Sequence, residues 1–196
     1  MYVYINGTIV SSEQAAVSVF DHGYLYGLGL FETFRIYEGH PFLMDDHFHR
    51  LYEGLRQMGI EWEMSKEEIL ELLASLLEAN QLRDAYVRWN VSAGAEELGL
   101  YADTYREPTL IVYMKPLPST IFREKEAVVL KQRRNSPEGK WRLKSHHFLN
   151  NHLAKREIGS TSGREGIFLN EEGYLAEGIV SNLFLGEKRG CVYAGG

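Results

Sequence analysis

The spacing of hydrophobic and polar residues predicts several strands in the first half of the chain. β-Forming residues flank Asn6-Gly7 in YVYINGTIV, which predicts a hairpin with a two-residue turn. FETFRIY (31–37) and PFLM (41–44) predict a second strand pair. YVRWNVS alternates, with Val87, Trp89 and Val91 on one face and Arg88, Asn90 and Ser92 on the other, and TLIVYMK (109–115) reads as another strand.

Two stretches change to the helical period. Phe48, Leu51, Leu55 and Met58 share one helical face, and Asp45 or Asp46 suits the helix N-terminus. Ser65 and Glu68 have the spacing of a capping box. The box leads into EEILELLASLLEANQ, whose apolar stripe is Ile69, Leu72, Leu73, Leu76 and Leu77.

Prolines at 116 and 118 interrupt this pattern and predict a linker. We therefore expect an N-terminal sub-domain over 1–115, a linker over 116–122 and a C-terminal sub-domain over 123–196. Beyond the linker, AVVLKQ (127–132) predicts a strand and FLNNHLAKREI (148–158) a helix, before the short strands GIFLN, YLAEG and SNLFLGE. The fold class is α/β (α+β), in two sub-domains.

Charge and composition limit the classes of function that the chain can have. The net charge is −6, from 27 acidic and 21 basic residues, which argues against a nucleic-acid binder. Basic residues still cluster between Lys131 and Lys144, either as a solvated face or as a local field for an anionic ligand. A single cysteine, no signal peptide and no apolar run of about 20 residues predict a cytoplasmic protein without a membrane segment.

The histidines do not indicate a metal site. His146 and His147 are adjacent and His152 follows five residues after His147, whereas a zinc-binding helix face places two histidines four residues apart. Gly27 and Gly29 do not form a dinucleotide fingerprint, because Glu32 stands where a third glycine is needed. We expect no metal, and a tight turn at the glycines.

The sequence around two charged residues, Arg50 and Glu177, only weakly indicates a functional site. Arg50 lies off the apolar stripe of its helix, so it is either a surface arginine or a clamp for an anion such as phosphate. Glu177 follows an apolar strand and precedes a cluster of small polar groups, Gly178, Ser181 and Asn182. Neither pattern identifies a site by itself.

Four stretches together resemble the fold-type IV pyridoxal-phosphate enzymes, the class-IV aminotransferase family. They are FDHGYLYGLGLFETFRIYEG (20–39), FLMDDHFHRL (42–51), RLKSHHFLNNHLAKREI (142–158) and GIFLNEEGYLAEGIVSNLF (166–184). Each is modest alone, and they occur in the family's order and spacing across most of the chain. The resemblance implies pyridoxal 5'-phosphate as cofactor.

The resemblance also implies roles for individual residues. Lys144 corresponds to the lysine that holds the cofactor covalently and then moves protons, and Arg50 to the arginine that binds its phosphate. Glu177 corresponds to the carboxylate that pairs with the pyridine nitrogen, with Ser181 and Asn182 as polar companions. A carboxylate there keeps the nitrogen protonated, which makes the ring an electron sink.

Within the family, RRNSPEGKWRLKSHHFLNN is most similar to bacterial aminodeoxychorismate lyases. That similarity implies conversion of 4-amino-4-deoxychorismate, a small anionic substrate, to 4-aminobenzoate and pyruvate in folate biosynthesis. Cationic and polar partners for the substrate are expected among Thr33, Arg88, Arg142, His146 and His147.

Two alternatives stay open at this stage. One is transamination of D-amino or branched-chain amino acids, although the Arg-x-His pair of the D-amino-acid enzymes is absent from SAGAEELGLYADTY. The other is an inactive scaffold, because family chains continue beyond CVYAGG and we expect a truncated C-terminal sub-domain. The family also implies a homodimer.

Overall fold

The computed structural model describes residues 1–117, 124–160, 163–187 and 190–194. The chain divides into two compact units, Met1–Ser119 with Leu143–His146, and Thr120–Arg142 with His147–Gly196. Residues 118–122 of the predicted linker lie outside the described residues, and Pro116 ends a strand. The short segment 143–146 belongs to the first unit, although it follows the predicted linker.

The described residues of the first unit form six strands and three helices. The elements in chain order are β1 (Tyr2–Ile5), β2 (Thr8–Ser11), α1 (His22–Tyr26), β3 (Gly29–Tyr37), β4 (His40–Pro41), α2 (Met44–Gln57), α3 (Lys66–Ala79), β5 (Ala85–Ser92) and β6 (Thr109–Pro116). The strands form one antiparallel sheet in the order β2-β1-β6-β5-β3-β4.

The core of this unit follows the predicted periodicities. Val87, Trp89 and Val91 on β5 are fully buried, as their alternation predicted. The apolar stripes of α2 and α3 join the same cluster, including Phe48 and Leu73. Ser65 caps α3 and Glu68 completes the capping box, which confirms that prediction.

Turn geometry explains where the predictions hold and where they fail. Asn6 and Gly7 both have positive φ (42° and 93°), as the two-residue hairpin between β1 and β2 requires. The predicted second strand pair forms between β3 and β4, but its extent over 41–44 was wrong, because β4 ends at Pro41 and Leu43 is left-handed with φ 51°. Helix α1 was not predicted, and Asp21 caps it by accepting a hydrogen bond from Gly23 N.

The described residues of the second unit form one helix and two small sheets. The elements are β7 (Glu126–Val129), α4 (Leu149–Ile158), β8 (Arg164–Leu169), β9 (Leu175–Gly178), β10 (Leu183–Glu187) and β11 (Gly190–Ala194). In one sheet β8 lies between β7, to which it is parallel, and β9, to which it is antiparallel; in the other, β10 pairs with β11. Phe168 and Ala154 are fully buried between the first of these sheets and the helix.

Helix length gives no sign of a membrane span. Within the described ranges, no helix is both long enough and apolar enough to cross a bilayer.

Replacing Ser65 with alanine tests the capping box. The Ser65 hydroxyl accepts a hydrogen bond from Glu68 N at 3.2 Å, and the Glu68 carboxylate accepts one from Ser65 N at 2.8 Å. We expect Ser65→Ala to lower the free energy of unfolding by about 1 kcal/mol. Urea unfolding followed by tryptophan fluorescence measures this change, because Trp62 and Trp89 lie in the same unit.

Ser75→Ala, in the same helix, is the matched control. Its hydroxyl donates back to the Glu71 carbonyl within the same helix, and alanine is the better helix former, so we expect no loss of stability. Equal destabilisation by both substitutions would contradict a special role for the cap.

Candidate active site

Backbone pairing with β3 fixes the position of Lys144. Phe31 N donates to the Lys144 carbonyl at 2.9 Å, His146 N donates to the Gly29 carbonyl at 3.0 Å, and Leu30 bridges Ser145 between them. β5 occupies the other edge of β3 along its length. Residues 144–146 therefore extend the sheet on the edge of β3 that also pairs with β4.

Strand alternation places Lys144 on the same face as Phe31. The Lys144 amine lies 4.8 Å from the centre of the Phe31 ring, and the Arg88 guanidinium carbon lies 3.8 Å from it. Thr33 is paired with Arg88 across the strands. Two cations beside one aromatic ring form a positive surface suited to an anionic ligand.

Arg88 is held in place on this face. Its Nε donates to Asn90 Oδ1 at 3.0 Å. Burial lowers the pKa of Arg88, while Tyr86 and Tyr113 oppose that effect. A partly desolvated guanidinium interacts more strongly with a carboxylate than an exposed one does.

His146 occupies space that only a glycine leaves open. A Cβ on Gly29 would lie 2.5 Å from two atoms of the His146 imidazole and 2.9 Å from Ser92 Cα. The imidazole also stacks beside Phe31, with ring centres 6.3 Å apart. The packing of His146 on Gly29 thus helps to set the register of Lys144, two residues earlier.

Arg50 belongs to a second group, on the helix-facing side of β3. Its Nε and Nη2 donate to the two oxygens of Glu32 at 2.5 and 2.6 Å, and His47 Nδ1 donates to the same carboxylate at 2.8 Å. The Glu32 side chain is 2% exposed and the Arg50 side chain 60%. Arg50 is therefore oriented by a buried carboxylate while its side chain reaches solvent.

The sequence interpretation missed Glu32. Burial alone would raise the pKa of this carboxyl, but the hydrogen bonds and charges of His47 and Arg50 outweigh burial and lower it. The signal was available, because Glu32 stands between Leu30 and Phe34 on the core-facing side of an alternating strand. An acid at such a position indicates a buried partner.

The remaining predicted residues lie in the second unit. Glu177 on β9 accepts a hydrogen bond from Arg134 Nε, and Arg142 Nε is 4.0 Å from the same carboxylate oxygen. Ser181 donates to Glu165 at 3.2 Å, and its carbonyl accepts from Gly178 N at 2.8 Å. Asn182 follows it and is exposed.

Two of the predicted substrate residues have other partners in this unit. Arg142 Nη2 donates to the Asn135 carbonyl. His147 Nδ1 lies 3.9 Å from Glu138. Among the described residues, no three His, Cys, Asp or Glu side chains are grouped to hold a metal ion.

Comparison with known proteins identifies the family. The sequence profile of the amino-transferase class IV family matches residues 29–194. The chain belongs to the amino-transferase class IV family. This membership confirms the resemblance drawn from the four sequence stretches.

Individual relatives of this class IV chain include lyases and aminotransferases. The aminodeoxychorismate lyase of Bacillus subtilis (strain 168) is 51% identical over 194 residues, covering 97% of this chain and 66% of that protein. A crystal structure of 4-amino-4-deoxychorismate lyase from Pseudomonas aeruginosa superposes with a TM-score of 0.82 at 27% identity, covering 97% of this chain and 69% of that one.

A third relative is the T.th. branched-chain amino acid aminotransferase complexed with N-(5'-phosphopyridoxyl)-L-glutamate. Its TM-score is 0.81 at 28% identity, covering 97% of this chain and 65% of that one. The class IV chain thus spans about two thirds of the length of these relatives.

Gly29→Ala tests how the Lys144 segment is held in this class IV chain. The added methyl group meets the His146 ring and the Ser92 backbone, so we expect the 144–146 pairing to loosen. Hydrogen exchange at the amides of Phe31 and His146 should accelerate by about tenfold or more, which corresponds to about 1.4 kcal/mol of lost protection. Gly186→Ala, with no atom within 4 Å of the added Cβ, is the control. Unchanged exchange in Gly29→Ala would refute this packing.

Glu32→Gln tests the buried ion pair. Glu32 has a lower pKa folded than unfolded, so its ionised form stabilises the fold above its ordinary pKa of 4.5, and this contribution disappears as the pH falls through the folded value. We expect Glu32→Gln to destabilise by about 1–3 kcal/mol at neutral pH, the range for hydrogen bonds to charged groups. The difference in the free energy of unfolding between wild type and Glu32→Gln should decrease as the pH falls.

Glu53→Gln on α2 is the matched control. Its ion pair with His49 is exposed and 3.5 Å long, so we expect a change below about 0.5 kcal/mol. Urea unfolding at several pH values measures both variants. A Glu32→Gln deficit that stays constant down to acid pH would show that the charge of Glu32 is not what stabilises the unit.

Proposed function

We propose that this protein is a pyridoxal-phosphate-dependent aminodeoxychorismate lyase, which converts 4-amino-4-deoxychorismate into 4-aminobenzoate and pyruvate. The observation that carries the proposal is the 51% identity with the Bacillus subtilis lyase over 97% of this chain. The product would serve folate biosynthesis. We also propose a cytoplasmic homodimer, as the family resemblance implies.

The donor set of the chain fits the proposed cofactor. Lys144 supplies a primary amine, and Arg50 supplies a guanidinium that is oriented by Glu32 and reaches solvent, as a phosphate partner requires. Glu177 supplies a carboxylate for the ring nitrogen, with the hydroxyl of Ser181 and the amide of Asn182 nearby in sequence. The phosphopyridoxyl ligand in the branched-chain aminotransferase relative supports this choice.

When bound, pyridoxal phosphate would withdraw electrons from the substrate carbon that carries the amine. We assign Lys144 to accept the proton from this carbon, since its amine lies beside the Phe31 ring, on the face of β3 opposite Glu32. The C–O bond of the substrate then breaks, and its electron pair leaves with the enolpyruvate, which takes up a proton to become pyruvate as the ring becomes aromatic. Aromatisation supplies the driving force.

Among the candidates for the substrate carboxylates, the contacts favour Arg88. Its guanidinium lies on the same ring as the Lys144 amine. Thr33, paired with Arg88 across the strands, is the candidate hydrogen-bond donor. His146 fits a role in packing better, because its ring fills the space above Gly29. We keep Arg142 and His147 as weaker candidates, because Asn135 and Glu138 already engage them.

Lys144→Ala tests the covalent role. The wild-type chain should form a visible absorption band with pyridoxal phosphate, and borohydride should convert the complex to a stable adduct on Lys144. We expect Lys144→Ala to form neither and to lose activity by about a thousandfold or more. Lys115→Ala, an exposed lysine in the same unit, should behave as wild type. A wild-type protein that stays colourless would count against the proposal.

The products distinguish the lyase from the alternative, transamination, which the aminotransferase relative supports. A lyase releases pyruvate and 4-aminobenzoate in equal amounts from 4-amino-4-deoxychorismate, without an added keto acid. A transaminase converts 2-oxoglutarate to glutamate in the presence of a D-amino or branched-chain amino acid. Keto-acid-dependent turnover without 4-aminobenzoate would replace the lyase proposal with the alternative.

A further inference from the structure

We propose that Arg134 is the positioning residue for Glu177. Asn150 and Asn151 hold the Arg134 guanidinium so that its Nε faces the carboxylate, which fixes the orientation of Glu177 and places a permanent positive charge beside it. This inference rests on the proposed function, because it concerns the carboxylate assigned to the cofactor's ring nitrogen.

Acceptors surround the Arg134 guanidinium. Its Nε donates to Glu177, and its Nη1 lies 2.8 Å from Asn150 Oδ1, 3.0 Å from Asn135 Oδ1 and 3.3 Å from Asn151 Oδ1. The side chain is only 12% exposed, and its guanidinium carbon lies 5.4 Å from the centre of the Phe168 ring. A guanidinium in such a setting has one orientation.

The two asparagines are themselves locked. Asn150 Nδ2 donates to the Arg133 carbonyl at 2.9 Å, and Asn151 Nδ2 donates to the Ile179 carbonyl. Backbone carbonyls only accept hydrogen bonds and arginine only donates them, so each amide has a single consistent orientation, with its oxygen toward Arg134. Asn151 is 8% exposed, so leaving either end of its amide unpaired would cost free energy.

This network connects the segments of the second unit that carry Glu177. The asparagines stand in the first turn of α4, Arg134 follows β7, and Ile179 lies two residues after Glu177. Arg134 N also donates to the Leu169 carbonyl of β8 at 2.9 Å. The adjacent asparagines in FLNNHLAKREI therefore orient the arginine that orients Glu177.

The charges around Glu177 are unequal. Arg134 contacts it directly, and Arg142 lies 4.0 Å away. The negative charge of Glu138 interacts favourably with Arg142, while Glu165 on β8 forms an ion pair with Lys125 at 2.8 Å. Two cations thus face one carboxylate, and removing the nearer one leaves a more negative environment for a proton held beside Glu177.

The experiment measures the spectrum and affinity of the complex with pyridoxal phosphate in the full chain. We expect Arg134→Gln to raise the pH midpoint of the bound cofactor's visible absorption by about half a unit or more, since loss of a nearby positive charge favours protonation. We expect its dissociation constant to rise roughly tenfold, the loss expected for a charge-assisted hydrogen bond. Arg134→Lys should restore the midpoint and only part of the affinity.

Arg133→Gln is the matched control, because it removes the same charge from the neighbouring residue, whose side chain is exposed. We expect it to leave both values unchanged. Asn150→Ala keeps the charge and frees the guanidinium, so it should weaken cofactor binding without moving the midpoint. Thermal unfolding of each apoprotein shows which variants fold.

The outcomes separate this inference from the proposed function. A wild-type chain that forms no coloured complex overturns both. A coloured wild type in which Arg134→Gln has the midpoint and affinity of Arg133→Gln overturns the role of Arg134 alone. If Arg134→Gln fails to fold, the inference stands or falls on whether Asn150→Ala lowers the affinity at an unchanged midpoint.

Discussion

The hydrogen-bonded pairing of residues 144–146 with β3 is the constraint on which the first-unit site depends. Side chains alternate between the two faces of a strand, so a slip of one residue would turn Lys144 toward the core and Ser145 toward Phe31. Two backbone bonds and the bare Cα of Gly29 hold the register instead. The contacts of Lys144 with the ring follow from this register.

Both units contain an arginine–carboxylate pair that orients one of its two side chains. The carboxylate is the more buried partner in the first unit, and the arginine is the more buried partner in the second. In the first, the buried acid Glu32 fixes Arg50, whose side chain is largely exposed. In the second, the largely buried Arg134 fixes Glu177, which is partly exposed. In each pair the partner with less solvent contact is also held by other residues, Glu32 by His47 and Arg134 by Asn135, Asn150 and Asn151. The more accessible partner is thereby held in a fixed orientation.

Periodicity predicted most of the elements, because burial of one face is a local property of the sequence. It failed where individual backbone angles redirect the chain, as between Pro41, where β4 ends, and left-handed Leu43, which precedes α2. The helix at 22–26 is too short for a periodic signal. The network of Arg134 could not be predicted, since it joins residues up to 43 positions apart. The roles of Lys144 and Glu177 came from the resemblance.

In the sequence, residues 143–146, which contain Lys144, are flanked on both sides by residues of the second unit. The chain leaves the first unit before Thr120, returns for Leu143–His146, and leaves it again. Neither unit is therefore a continuous stretch of polypeptide. A polypeptide that ends at the predicted linker would contain all six strands of the first-unit sheet. It would lack residues 144–146, which pair with β3 and carry the Lys144 amine. Lys144 therefore comes from the sequence after the linker and is positioned by a sheet from the sequence before it, so the two parts of the gene must be inherited together.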